Sequence, residues 1–308
     1  MRPLIVILVA GAAVVSAVGL AFGVFPGSTR AVGEKVPAGA PLPLAIEEEP
    51  GDLPVDLNAP PVALAPPGGA IIQQGVVRIP KPNVDVKGQR RVGIQVGHWM
   101  TDDVPKEYGT RIQLQTGTSW AGYTEVDTTM AIAERMASLL KAQGIAVDLL
   151  PTTIPEGYLA DVFIALHCDG DGVGELSGFK MAIGSRRGTY DAKLMQDIKD
   201  VYAKATGLSW DQEHISRAML GYYPFNWSRY QHAASPFTPA TIIELGFLSN
   251  DDDRALLVDH PDLIATALVN GIFKFLDDNP RSKIFSEDLL IPQLPLRQGP
   301  QPTPTTPP

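Results

Sequence analysis

Residues 160–170 read ADVFIALHCDG. Within them VFIAL (162–166) is a continuous apolar run, which suits a strand covered on both faces. His167 follows it at once. Working outward, RVGIQVG (91–97) reads as a second short buried strand with His98 directly behind it. Strands are also expected over 145–150 and 178–183, and another ends at 241–244 on Glu244. Between them, 126–143 has a helical period, with Thr129, Ile132, Met136 and Leu139 on one stripe and Gly144 as the stop. Further helices are expected over 190–205 and 261–276. Strands alternating with helices predict an α/β fold: a single twisted, mostly parallel sheet with helices on both faces.

In such sheets ligands collect beyond the carboxyl ends of the strands. His98, His167 and Glu244 each stand at such an end, and Glu125 stands where the first helix opens. Four groups able to form a metal site therefore converge from four separate segments. Zinc hydrolases take three protein ligands, typically neutral His and a carboxylate, and keep a fourth position open. His98, Glu125 and His167 supply that set. Glu125 continues the buried stripe of Thr129, Ile132 and Met136, whereas Glu134 falls with Asp127, Ser138 and Lys141 on the polar side, so Glu125 is the better ligand.

The flanks differ from this middle. Of 28 prolines in the 308 residues, 12 fall in 26–82 and 7 in 281–308, which reads both stretches as linker-like and leaves 83–280 as the globular unit. That unit holds 26 acids and 17 bases, which accounts for the whole net charge of −9. A binder of nucleic acid held by phosphate contacts needs a basic face, so that class is excluded. The lone cysteine, Cys168, excludes an internal disulfide framework and is expected to be a small buried residue. Residues 4–25 carry no charge and follow Arg2. As a helix they would span about 33 Å, enough for a hydrocarbon core. Residues 1–25 therefore read as either a cleaved signal peptide or a signal-anchor helix, both of which place the rest outside the cytoplasmic membrane. The organisation expected is 1–25 signal or anchor, 26–82 Pro-rich disordered linker, 83–280 catalytic domain and 281–308 Pro-rich tail.

GHW (97–99), Glu125 opening EVDTTMAIAERMASLLKAQGIAV, ADVFIALHCDG (160–170) and IIELGFLSN (242–250) resemble the zinc-dependent N-acetylmuramoyl-L-alanine amidases of bacterial cell walls. The resemblance covers roughly 91–276, and ELGFLSN after an apolar strand is its most specific piece. It implies zinc held by His98, Glu125 and His167, with Glu244 as general base. It also implies the substrate, the amide between the lactyl group of N-acetylmuramic acid and L-alanine in peptidoglycan. Three departures bear on substrate contacts: Trp99 replaces a glycine, Asp169 stands for an Asn, and LLPTTIP (149–155) lacks the Arg common after the second strand. Two other readings stay open at this stage: a degenerate amidase fold that binds peptidoglycan without turnover, and a zinc hydrolase of another amide or peptide.

The 26 residues between His98 and Glu125 are long for a structureless connection. Trp99, Tyr108, Trp120 and Tyr123 lie in it; they either wall a cleft against sugar or peptide, or pack the loop onto the domain. His214, His232 and His260 lack a carboxylate at ligand spacing and read as surface or packing residues, with His232 the one able to line a cleft.

Overall fold

The computed structural model describes residues 71–73, 76–185 and 188–292. In chain order its elements are β1 (Ile71–Gln73), β2 (Val76–Ile79), β3 (Arg91–Val96), a 3₁₀ turn (Lys106–Tyr108), α1 (Thr110–Gln113), β4 (Ser119–Trp120), β5 (Tyr123–Thr124) and α2 (Glu125–Ala142). There follow β6 (Ala146–Leu150), β7 (Val162–Asp169), β8 (Lys180–Ala182), α3 (Thr189–Thr206), α4 (Arg217–Leu220) and a second 3₁₀ turn (Tyr223–Phe225). β9 (Ala240–Phe247), α5 (Asp251–Asp259), α6 (Pro261–Asp278), α7 (Arg281–Ile284) and β10 (Leu289–Pro292) complete the described chain.

Five strands form the main sheet in the order β6-β3-β7-β9-β8. The first four run parallel and β8 closes the edge antiparallel to β9. This is the mostly parallel α/β sheet expected. Alternation along β7 divides its side chains between the two faces. Val162, Ile164, Leu166 and Cys168 join the core made with α2, α3 and α6. Phe163 and Ala165 face a second core with Leu150, Ile154, Tyr158, Met219 and Phe225. Helices thus lie on both faces, but unequally: the three long ones share one face, while α4, the second 3₁₀ turn and connecting segments cover the other. His167 has the parity of Phe163 and Ala165, so it points into the face covered by short elements.

Local sequence explains how α2 starts there. The Thr124 side chain accepts from the Asp127 amide, capping the helix, and Glu125 and Asp127 put acids in its first turn. Gly144, at φ +77°, turns the chain out at the other end. Ile132 and Met136 are buried as the stripe predicts, and Glu134 is exposed. Leu139 is not part of the stripe: it is 39% exposed and Leu140 takes the core position. The step of four from Met136 stays over the sheet, whereas the step of three swings to the rim.

The folded unit also reaches past the 83–280 boundaries read from proline content. β2 pairs antiparallel with β1 and with β10, giving a three-stranded sheet from stretches assigned to linker and tail. Ile79, Ile284 and Phe285 are buried in the main core, and each such side chain contributes about 1.5–3 kcal/mol. Proline counting missed them because the apolar residues of VVRI and LLIP are few and lie among prolines. Residues 4–25, most of the spacer and 293–308 lie outside the described residues. Among the described residues no single helix is long and apolar enough to cross a membrane.

Candidate metal and catalytic site

The site grows from β3. On the His167 side of the sheet it presents Arg91, Gly93, Gln95 and, one residue past the strand, Gly97. The two glycines leave room: a Cβ at Gly93 would meet the Tyr158 ring at 2.6 Å, and one at Gly97 would meet the His167 ring at 2.3 Å. The chain then reverses through a turn in which His98 adopts φ 60° and Met100 φ 57°. Left-handed backbone at non-glycine residues is uncommon, and here it aims the His98 ring back over the sheet.

His98, Glu125 and His167 meet. Their ligand atoms all lie within 4.8 Å of one another. His167 Nδ1 is 2.8 Å and His98 Nε2 3.5 Å from the same Glu125 oxygen, Oε1, and the two rings stand edge to face at 85°. Glu125 and His167 are buried, while His98 sits at the rim. The other Glu125 oxygen accepts from the Thr118 amide at 2.9 Å, and Oε1 also accepts from the Cys168 amide at 3.2 Å. Burial by itself would raise the Glu125 carboxyl; when the His98 and His167 rings carry a positive charge, they and the Thr118 amide outweigh it and hold it down at about 2. Burial likewise pushes the His167 ring down, against the opposing pull of Glu125.

The donor set fits a divalent cation. The His98 Nδ1–H donates to the Gln115 carbonyl at 3.0 Å, so the lone pair of the neutral ring is at Nε2 and faces an anionic oxygen. Acceptors turned toward one another in a buried place ask for a positive charge between them. Two imidazoles and a carboxylate are the donors zinc takes in hydrolases.

Glu244 lies beside this cluster. It is the register partner of His167 across the parallel β7–β9 pair and of Lys180 across the antiparallel β9–β8 pair, so the three side chains share one face. His167 and Glu244 do not end their strands, as the sequence suggested. The ladder runs on through a register shift to pair Asp169 with Phe247.

Several contributors carried no sequence signal. Gln115 and Thr118 hold His98 and Glu125 from the 99–124 connection, which contains the 3₁₀ turn, α1 and the β4–β5 hairpin. Gly117, at φ +79°, packs so tightly that a Cβ would sit 2.8 Å from Glu125 Oε2. Tyr108 of this connection is buried against Tyr223 and Tyr230, and its hydroxyl donates to the His232 carbonyl. Trp99 packs on the core. Tyr123 is exposed. The aromatics therefore divide between packing and the open face. Glu107 adds a latch, accepting from the Gln231 and His232 amides at 2.9 Å.

The departures from the family pattern also find their places. Asp169 forms an ion pair with Lys180, a buried lysine whose amine also donates to the His214 carbonyl at 2.6 Å. The Trp99 carbonyl accepts from the Thr152 amide at 2.9 Å. In 149–155 the carbonyls of Pro151 and Thr152 accept from Gln95. His214 does have a carboxylate, Asp211 at 2.8 Å, though on an exposed turn away from the cluster. His232 Nδ1 pairs with the Ile154 carbonyl at 2.8 Å, a packing role. Cys168 is buried in the core, and burial, with Glu125, Glu244 and Asp169 nearby, pushes its thiol far up, so it is no nucleophile.

A parallel α/β sheet with a His-Glu-His cluster and a further glutamate at one edge defines a domain equipped for cation-assisted hydrolysis. The family model described as N-acetylmuramoyl-L-alanine amidase matches residues 92–274, and the chain belongs to that family of cell-wall hydrolases. No curated protein matches the sequence. Among solved structures it is similar to the N-acetylmuramyl-L-alanine amidase Ami1 of Mycobacterium smegmatis, at 19% identity over 62% of this chain and 98% of that one, with TM-score 0.48. It is also similar to the amidase AmiC2 of Nostoc punctiforme, at 17% identity over 62% and 98%, with TM-score 0.42. A third is an N-acetylmuramoyl-L-alanine amidase of Clostridium difficile 630, at 16% identity over 61% and 97%, with TM-score 0.43.

Proposed function

We propose that the chain is an exported zinc amidase that hydrolyses the amide joining the lactyl group of N-acetylmuramic acid to L-alanine in peptidoglycan. His98, Glu125 and His167 hold the ion and Glu244 is the general base. The observation that carries the reading is the convergence of both imidazoles on one Glu125 oxygen, with Glu244 in register beside His167. Bound there, zinc supplies Lewis acidity toward the scissile carbonyl and the attacking water.

The protein does the rest. Glu125, fixed by the Thr118 and Cys168 amides, keeps its charge at the site. A carboxylate oxygen of Glu244 takes a proton from the attacking water and later returns it to the leaving amine, which departs neutral. The long helices pack on the opposite face of the sheet and keep it dry.

The uncharged run 4–25 behind Arg2 supports export, and a Pro-rich spacer after it suits a catalytic head held at a distance from a membrane. Fractionation of cells carrying the full chain tests this: recovery in the cytosol opposes it.

The site assignment is tested with Glu244→Gln. The variant is expected to bind zinc as the parent does and to lose about 10²-fold or more in release of L-alanyl amines from purified sacculi. Parent-like turnover removes Glu244 from the chemistry. Turnover by the parent that survives exhaustive chelation removes the metal.

A further inference from the structure

Gln95 is wholly buried on β3, on the sheet face that carries His167. Its side-chain nitrogen lies 2.9 Å from the Thr152 carbonyl, 3.2 Å from the Pro151 carbonyl and 3.1 Å from the Tyr223 hydroxyl. Carbonyl oxygens only accept, so two of them fix that end of the amide as its NH₂ and the other end as its oxygen. The Gln95 oxygen accepts the Tyr222 hydroxyl proton at 2.9 Å. With its one proton used there, the Tyr222 oxygen is left to accept from His167 Nε2, also at 2.9 Å. His167 Nε2 therefore carries a hydrogen, and in the neutral ring the lone pair falls on Nδ1. Nδ1 is the atom 2.8 Å from Glu125 Oε1. The Tyr222 ring stands edge to face on His167 at 88°, which also fixes the plane of the imidazole.

We infer that Gln95 and Tyr222 form a positioning relay that imposes on His167 the tautomer whose Nδ1 is free to hold the cation. The relay is anchored in backbone at its far end: the Pro151 and Thr152 carbonyls set Gln95, Gln95 sets Tyr222, and Tyr222 sets His167. The other histidine is set in one step, by the Gln115 carbonyl on Nδ1, which frees Nε2. Each ring thus presents a different nitrogen to the same carboxylate oxygen, and neither can turn over without breaking a hydrogen bond. Residues 151 and 152, within the 149–155 stretch that lacks the Arg common in the resembling family, supply the carbonyl pair that starts the relay. Neither Gln95 nor Tyr222 takes part in the reaction; both act through His167.

The inference rests on the metal-site reading above, so its test uses zinc alone rather than hydrolysis. Tyr222→Phe, Gln95→Met and the double variant are titrated with zinc in competition with a chromophoric chelator. Each single change is expected to weaken binding about 10- to 100-fold, the usual range for groups that orient a metal-bound imidazole. The double variant is expected to bind no more weakly than the worse single one, because both changes break one chain. In the zinc-loaded parent, imidazole ¹⁵N–¹H spectra are expected to show His167 protonated at Nε2. Variants that bind within twofold of the parent, losses that simply add, or a His167 proton on Nδ1 overturn the relay. The spectrum of the parent decides even if a variant folds poorly, which its thermal midpoint without metal reports. A parent that binds no zinc overturns the metal-site reading itself, and with it the relay.

Discussion

Residue 97 is a glycine because the His167 ring occupies the place a side chain would take: a Cβ there would lie 2.3 Å from ring Cε1 and 2.5 Å from Nδ1. The ring has no room to retreat, since Tyr222 holds it at Nε2 and Glu125 faces it at Nδ1. Gly97→Ala is therefore expected to displace His167, the proposed metal ligand, rather than merely crowd the core. Zinc affinity should fall at least about tenfold, with stability reduced by about 1–3 kcal/mol, the usual cost of overpacking. Titration with zinc and thermal unfolding measure the two effects. Affinity equal to the parent would show that the ring moves aside without consequence.

That glycine marks what the sequence could and could not reveal. The nearness of His98, Glu125, His167 and Glu244 was legible because each follows or sits late in an apolar strand or opens a helix, although His167 and Glu244 lie inside their strands rather than at the ends. The choice of Glu125 over Glu134 followed from helix geometry, and burial agrees with it. Gln95, Tyr222, Gln115 and Thr118 were not legible. Their contacts depend on how three irregular segments, 99–124, 151–161 and 211–239, fold across one face, and no period encodes that. The same holds for the ends: β1, β2 and β10 are only three or four residues each, and the sheet they form joins stretches far apart in sequence.

Those ends matter to the domain. Asp161, at 0% exposure, sits at the amino end of β7, where it accepts from the Arg91 amide at 2.8 Å and pairs with Arg281 at 3.0 Å. Burial raises its carboxyl, while the Arg91 amide and Arg281 pull the other way. Removing one partner of a buried pair leaves an uncompensated charge and typically costs about 3–5 kcal/mol. Arg281→Met is expected to lose stability on that scale. A fragment of 83–280, which lacks Arg281 and the β1-β2-β10 sheet, should be less stable still than 71–292. Thermal and urea unfolding of the three proteins check this. Equal midpoints for the two fragments would return 281–292 to the status of tail.

Asp171 supplies a pH signature. Its carboxylate accepts from the amides of Gly174, Glu175 and Leu176 at 2.7–2.8 Å and from the Ser249 hydroxyl at 2.7 Å, tying the loop after β7 to the one after β9. Burial works against the charge, but these hydrogen bonds hold the carboxyl well below the ordinary range near 3.9. A group whose folded value lies below its unfolded one stabilises fully above the unfolded value and loses that contribution as pH falls through the folded one. The stabilisation is thus complete at neutral pH and fades only below about pH 4. Asp171→Asn, which keeps the shape but not the charge, is expected to lose about 1 kcal/mol or more at pH 7, since hydrogen bonds to charged groups are the stronger ones. The gap between parent and variant should then narrow steadily as pH falls below about 4, because protons bind the unfolded chain's carboxyl first and the folded one only at lower pH still. Urea midpoints taken across that range decide the matter: a gap that stays constant means the loop is held by shape alone and the charge contributes nothing.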